Sequence, residues 1–356
     1  MVATGTEVAI AFGLSFAAGL STCLGGLVLF CKCLLTLAKP ASLGISLAVS
    51  AGVMIFISLT EIYNLSVHKF QEGFYVNTTT LHSENATTDA KICNSICKGH
   101  GWIAGSASFL LGVLIIFLLD FIVHKISPDT DEEFDPKELE MLRKKDVEST
   151  AVTNWSGAVK DTIITLPKQE RINGYAANQL VENQILNSNT NIETRQEKST
   201  KTQLKRMGVL TALAVGIHNL PEGIATYIAA KNGSRLGAAM AIGIALHNIP
   251  EGIAIATPVY FATESKCKAF AWTLVAGLAE PIGSIICWLA VGDGLNPVVE
   301  GVIYGVVSGM MITVSFKDLI PTSLKYNTNV NVFITSMLGG MGIMIVSLIL
   351  FAYAGL

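Results

Sequence analysis

The sequence predicts an all-α membrane protein built from eight transmembrane helices. The composition is the first reason, because 51% of the 356 residues are hydrophobic and only 14% are charged, whereas about 25% are charged in a soluble domain. The second reason is a set of eight apolar runs of about 20 residues or more, the length that crosses a bilayer. Lipid cannot satisfy free backbone groups, so each run should be helical, and the short alternating strands of a β-barrel are missing from the sequence.

The predicted spans form two groups, three before and five after a long polar segment. They lie at 8–30, 41–63, 102–123, 208–230, 236–258, 269–291, 297–316 and 330–353. The chain therefore divides into a first membrane unit at 1–124, which includes an extracytoplasmic loop at 64–101, a polar loop at 125–206, and a second membrane unit at 207–356.

The polar loop holds 13 of the 24 basic and 14 of the 27 acidic residues. It has too little apolar surface to offset the entropy of ordering, so we expect it to be disordered. Its bases are matched by acids, and the net charge is −3. Nucleic-acid binding needs a clustered basic surface, so DNA and RNA are excluded as partners.

Orientation is predicted from the positive charges, which are retained on the cytoplasmic side. Placing the N-terminus outside puts the polar loop in the cytosol. It also puts the glycosylation sequons at Asn77 and Asn85 outside, as modification requires. We expect a multi-pass protein of the plasma membrane, with an organelle membrane as the alternative.

One short motif occurs twice, as His218-Asn219-Leu220-Pro221-Glu222-Gly223 in the fourth span and His247-Asn248-Ile249-Pro250-Glu251-Gly252 in the fifth. Residues four apart share a helix face, so each span offers one imidazole and one carboxylate on one side. At 1.5 Å per residue, both motifs lie near the bilayer midplane. The prolines free backbone carbonyls there, and we expect broken helices that line a cavity.

A third carboxylate, Glu280, lies at similar depth in the sixth span. Each ionised acid at this depth costs about 3 kcal/mol, and the predicted spans contain no Lys or Arg to offset it. A bound cation is the natural compensation. Two imidazoles, three carboxylates and the amide oxygens of Asn219 and Asn248 favour a first-row divalent metal, with zinc ahead of iron(II) and manganese.

The sequence leaves open the roles of two other acids and one pair of cysteines. Glu61 and Asp318, near the ends of their spans, are either access ligands or solvated helix-end acids. Cys93 and Cys97 precede His100 in a polar stretch, where a local disulfide, a weak metal site or no role at all are alternatives.

With these motifs the chain resembles the ZIP (ZRT/IRT-like) family of divalent metal transporters, closest to its ZupT-type branch. The resemblance implies an eight-helix bundle with inverted pseudo-symmetry and extracytoplasmic termini. It also implies import of metal into the cytosol by alternating access, and a possible homodimer. Many relatives carry a histidine-rich cytosolic loop, whereas none of the six histidines lies in the loop here, so zinc sensing by the loop is not expected.

The resemblance further implies a site for two metal ions. His218, Glu222, His247 and Glu251 would hold one ion, and Asn219, Glu222, Asn248, Glu251 and Glu280 its neighbour. The metal is then the transported substrate, zinc first, with Fe²⁺, Mn²⁺ and Cd²⁺ as alternatives, and no catalytic cofactor is expected.

Two functions from other classes compete with transport. An intramembrane metalloenzyme could use a metal held by His and Glu to activate water, but the His-Glu-x-x-His signature is missing from the sequence. A metal-responsive receptor could use the polar loop to recruit a cytosolic partner. Proteolysis without metal flux would favour the first, and loss of signalling alone on deleting the loop would favour the second.

Overall fold

All secondary structure in the computed structural model is helical, and the structure describes residues 5–31, 39–79, 88–126, 175–291 and 296–354. The helices are α1 (Gly5–Leu27), α2 (Pro40–Ile57), α3 (Tyr63–Thr79), α4 (Thr88–Ile126), α5 (Tyr175–Asn232), α6 (Ser234–Thr263), α7 (Lys266–Gly277), α8 (Ala279–Val291), α9 (Pro297–Val314), α10 (Ile320–Tyr326) and α11 (Val330–Ala354). A 3₁₀ turn at Val28–Phe30 follows α1. Single π-helical turns at Ser58–Ile62 and Ser315–Leu319 connect α2 to α3 and α9 to α10.

Seven helical segments within the described residues are long and apolar enough to cross a membrane. They are Gly5–Phe30, Ala41–Tyr75, Ile96–Ile122, Gly237–Thr263, Lys266–Ala290, Pro297–Tyr326 and Val330–Tyr353. The fourth predicted span, 208–230, is part of α5 but is not among them. Its mean hydropathy is lowered by His218, Asn219 and Glu222, the polar residues of the first motif.

Residues 175–206 differ from the disorder expected of the polar loop, because they form the first part of α5. The stretch contains no proline or glycine, so helix propensity is not interrupted. Its last turns also have tertiary partners: Leu204 is buried against Phe261, and Lys201 Nζ lies 2.6 Å from Glu264 Oε1. Residues 127–174 of the loop lie outside the described residues.

The helices pack into two groups. The site bundle consists of α1 and α5–α8, and the outer bundle consists of α2–α4 and α9–α11; the two meet chiefly where α2 packs on α6. Within each bundle, glycines let helix backbones touch, since a Cβ would overlap a backbone atom of the neighbouring helix. Such glycines are Gly19, Gly25, Gly223, Gly252 and Gly277 in the site bundle and Gly52, Gly112, Gly309 and Gly340 in the outer bundle.

Two adjacent glycines of α11 give a test of this packing. A Cβ on Gly340 would overlap the backbone of Val49 on α2, whereas one on Gly339 would meet nothing within 4 Å. We expect Gly340→Ala to lower the free energy of unfolding by about 1–3 kcal/mol, because α2 and α11 must separate. Gly339→Ala should leave stability equal or slightly higher, since alanine favours helix. Thermal unfolding in detergent measures the stability of both variants. Equal losses of stability would contradict a close backbone contact of α2 and α11 at Gly340.

Candidate metal site

All seven candidate ligands lie in the interior of the site bundle. They are His218, Asn219 and Glu222 on α5, His247, Asn248 and Glu251 on α6, and Glu280 on α8, and none is more than 9% exposed. The motifs meet because α5 and α6 are joined by a single residue, Gly233, and pack along each other. The structure pairs the two histidines with glutamates and Asn248 with Glu280, and Asn219 is buried next to His218 on α5.

The two motifs pair crosswise. His247 Nε2 lies 3.3 Å from Glu222 Oε2, and His218 Nε2 lies 3.5 Å from Glu251 Oε2. Each imidazole thus faces the carboxylate of the other helix. The spacing of four residues within one motif puts histidine and glutamate on one face, and the packing of two such faces makes the contacts between them.

The orientation of His247 is fixed by its second ring nitrogen. Nδ1 lies 3.1 Å from the carbonyl oxygen of Gly243, one turn earlier on α6. A carbonyl oxygen only accepts, so Nδ1 carries the proton and Nε2 is left to bind. A backbone carbonyl in this position is a common way of orienting a metal-binding histidine.

Glu280 closes the other side of the cluster. Its Oε1 accepts a hydrogen bond from Asn248 Nδ2, which also donates to the carbonyl oxygen of Ala18 at 3.2 Å. A single residue, Leu278, lies between α7 and α8, and Glu280 is in the first turn of α8. Free N–H groups at a helix N-terminus stabilise a negative charge there.

Many polar side-chain atoms of the cluster have no hydrogen-bond partner among the described residues. They are Glu222 Oε1, Glu280 Oε2, both carboxylate oxygens of Glu251, Asn248 Oδ1 and both amide atoms of Asn219. Buried polar atoms without partners are costly, and a divalent cation would satisfy these oxygens. Within the described residues, no three His, Cys, Asp or Glu side chains are already arranged around one metal position.

The expectation that Pro221 and Pro250 break their helices is wrong. Both lie inside continuous helices, α5 and α6. A proline removes one backbone hydrogen bond, and a long helix with packed neighbours can continue through that loss.

Sequence reasoning missed the residues that hold the ligands in place. Ser50 of α2 donates to the carbonyl oxygen of His247 at 3.2 Å. Ser284, four residues after Glu280, hydrogen-bonds the carbonyl oxygen of Gly223 at 2.8 Å and the hydroxyl of Ser15 at 2.6 Å. Spacing could have indicated Ser284, because it shares a face with Glu280. Ser50 comes from a distant part of the chain and could not be found that way.

The residues with open roles lie outside the cluster. Glu61 and Asp318 both fall in the single π-helical turns, and both are at least partly accessible. Glu61 lines a cleft with Met240 and Met344. Cys97 is a buried cysteine on α4, and the side chain of Cys93 lies outside the described part of the structure.

Residues 88–349 match the family model described as ZIP Zinc transporter. The chain belongs to the ZIP zinc transporter family. It is similar to a protein of Lysinibacillus sphaericus named Zinc transporter ZupT, with 32% identity over 345 residues that cover 97% of this chain and 98% of the relative. The Zinc transporter ZupT of Streptococcus mutans is 32% identical over 341 residues, covering 96% and 97%.

Family membership confirms the resemblance seen in the paired motifs. It confirms an all-helical, multi-pass membrane protein of a transporter family, and it excludes the metalloenzyme alternative. The family match does not test which residues bind metal, so the seven ligands stay a prediction.

Proposed function

We propose that this ZIP protein carries zinc into the cytosol by alternating access, using the cluster on α5, α6 and α8 as its binding site. The observation that carries the proposal is the set of buried carboxylate and amide oxygens without partners among the described residues. The relatives from Lysinibacillus sphaericus and Streptococcus mutans are both named as zinc transporters, which favours zinc as the substrate.

The charge of the cluster requires a cation. Glu222, Glu251 and Glu280 are at most 1% exposed, and the side chains that face them are histidines and an asparagine. At about 3 kcal/mol for each acid at mid-membrane, three anions would be strongly destabilising. Two positive charges from one divalent ion offset most of that cost, and its coordination replaces the crosswise pairs.

The donor atoms select the kind of metal. Nε2 of each histidine is a borderline ligand that suits zinc and its first-row neighbours, whereas magnesium and calcium prefer oxygen alone. The cluster lacks a thiolate, which disfavours copper(I). Iron(II), manganese and cadmium are therefore the substrates expected to compete with zinc.

The candidate ligands form two adjoining groups within the cluster. One group is the crosswise His–Glu pairs, and the other lies at the amide side, where Asn248 and Glu280 meet. Glu222 faces His247, Glu251 faces His218, and both glutamates have unpartnered oxygens to share. This arrangement supports the two-ion site implied by the ZIP resemblance.

The packing supports movement of one bundle against the other. Several contacts within each bundle place backbone against backbone at glycines, with no flexible side chain between the helices. Between the bundles, the corresponding contact is made by side chains: a Cβ on Gly243 of α6 would meet Ile57 Cδ1 of α2 and the end of Met344 of α11. Flexible side chains can repack during a shift, so the site bundle can carry the ligands from one membrane face to the other.

Purified protein in liposomes tests the function directly. We expect time-dependent uptake of radioactive zinc that is reduced by excess iron(II), manganese or cadmium, and not by the same excess of magnesium, because magnesium prefers an all-oxygen shell. Liposomes without protein give the background. Zinc uptake at the background rate would overturn the proposal, and equal competition by magnesium would overturn the ligand assignment.

A further inference from the structure

A buried ion pair lies at the membrane face where α5 ends and α9 begins. Glu300, in the first turn of α9, is 6% exposed. Its Oε2 lies 2.9 Å from Lys69 Nζ of α3 and accepts a hydrogen bond of 2.7 Å from Asn232 Nδ2, at the last residue of α5. None of these residues belongs to the predicted metal site.

The two partners of Glu300 belong to different bundles. Lys69 and Glu300 are both in the outer bundle, where a Cβ on Gly301 would overlap the ring of Phe70 and one on Gly73 would overlap Val298. These close contacts hold α3 and α9 together. Asn232 belongs to the site bundle, and α5 runs without interruption from Asn232 back to His218, a distance of about 21 Å along the helix.

We propose that Glu300 is a positioning residue that latches the end of α5 to the outer bundle and so keeps this face of the transporter closed. The inference rests on the proposed alternating access and on the predicted orientation, which makes this face the extracytoplasmic one. A shift of α5 by a few ångströms along its axis separates Asn232 from Glu300. Lys69 moves with Glu300 and keeps the carboxylate paired, so the latch opens without leaving a buried charge alone.

The latch can be tested with a cysteine reporter at Met240. This residue is 4% exposed on α6 and lines the cleft between the bundles. In a parent whose seven native cysteines are replaced by serine or alanine, Met240→Cys should react slowly with a membrane-impermeant thiol reagent added outside. Asn232→Ala should raise the labelling rate roughly fivefold, because it removes a hydrogen bond to a charged acceptor.

Two further variants separate a latch from a general structural role. Asn232→Gln keeps an amide that can reach Glu300. In this variant, Met240→Cys should be labelled at a rate within about twofold of that in the parent. Glu72→Gln removes the other carboxylate near Lys69, at 3.4 Å, without touching Asn232, and should also label at the parent rate. Labelling of Asn232→Ala at the parent rate would overturn the latch, and so would equal acceleration by Glu72→Gln.

Labelling is measured without zinc, so its result is independent of transport. A parent that fails to take up zinc but shows the expected labelling pattern would refute the proposed substrate and leave the latch standing. A parent that transports zinc but shows no effect of Asn232→Ala would refute the latch alone. If Asn232→Ala does not fold, as judged by size-exclusion chromatography, Asn232→Ser serves the same purpose.

Discussion

Alanine at both His218 and His247 should lower the initial rate of zinc uptake at least roughly 100-fold. Loss of a residue that only orients a ligand already costs about 10–100-fold in metal affinity, and this variant removes both nitrogen donors. It also leaves Glu222 and Glu251 without the partners that lie 3.3 Å and 3.5 Å away. The measurement is uptake of radioactive zinc into liposomes at concentrations below and above saturation.

A matched control for the double variant is His68→Ala. His68 is exposed on α3, so its replacement removes a histidine without touching the cluster. Uptake by this control should equal that of the parent. Zinc binding should be measured as well by calorimetry in detergent, because a variant that binds normally but does not transport would point to a defect in movement. Transport by the double variant at the parent rate would refute the site.

The paired motif shows how much of the site could be predicted from the sequence. Helix geometry puts His218 and Glu222 on one face of α5, and His247 and Glu251 on one face of α6. This placement follows from the spacing within each motif alone. The crosswise contacts of His247 with Glu222 and of His218 with Glu251 depend on how two helices rotate about their axes. That rotation is set by tertiary packing, which the spacing within one motif does not contain.

The fold shows the same division between local and distant information. Hydropathy located the helices, but it could not show that Glu61 and Asp318 fall in π-helical turns, since such turns arise from local hydrogen-bond shifts. Composition predicted disorder through Arg206, and it missed the start of α5 because it ignores partners such as Phe261, which buries Leu204. Ser50 and Glu300 could not be found for the same reason, as each acts through a contact with a distant helix.

Gly223 links the packing of the site bundle to the geometry of the ligands. It follows Glu222 directly on α5, and a Cβ at this position would overlap the backbone oxygen, carbonyl carbon and Cα of Glu280. Backbone atoms cannot move aside as a flexible side chain can. Gly223→Ala must therefore push α5 and α8 apart, and Glu222 and Glu280 move apart with their helices.

We expect Gly223→Ala to reduce zinc uptake by roughly tenfold or more, on the scale of lost ligand positioning, and to lower the free energy of unfolding by about 1–3 kcal/mol through overpacking. Uptake in liposomes and thermal unfolding in detergent measure the two effects. The Ser284 hydrogen bond to the Gly223 carbonyl oxygen, 2.8 Å long, should be lost in the same separation of helices.

Gly216→Ala is the matched control, because it adds the same methyl group two turns earlier on α5. There a Cβ would lie 3.8 Å from the Cα of Ala276, an ordinary contact, and alanine is the better helix former. Uptake and stability should both stay at or slightly above the parent values. The opposite result would be equal zinc transport by the two alanine variants. The close approach of α5 and α8 would then not set the separation of Glu222 and Glu280. The two carboxylates would also not need to bind the same group of metal ions.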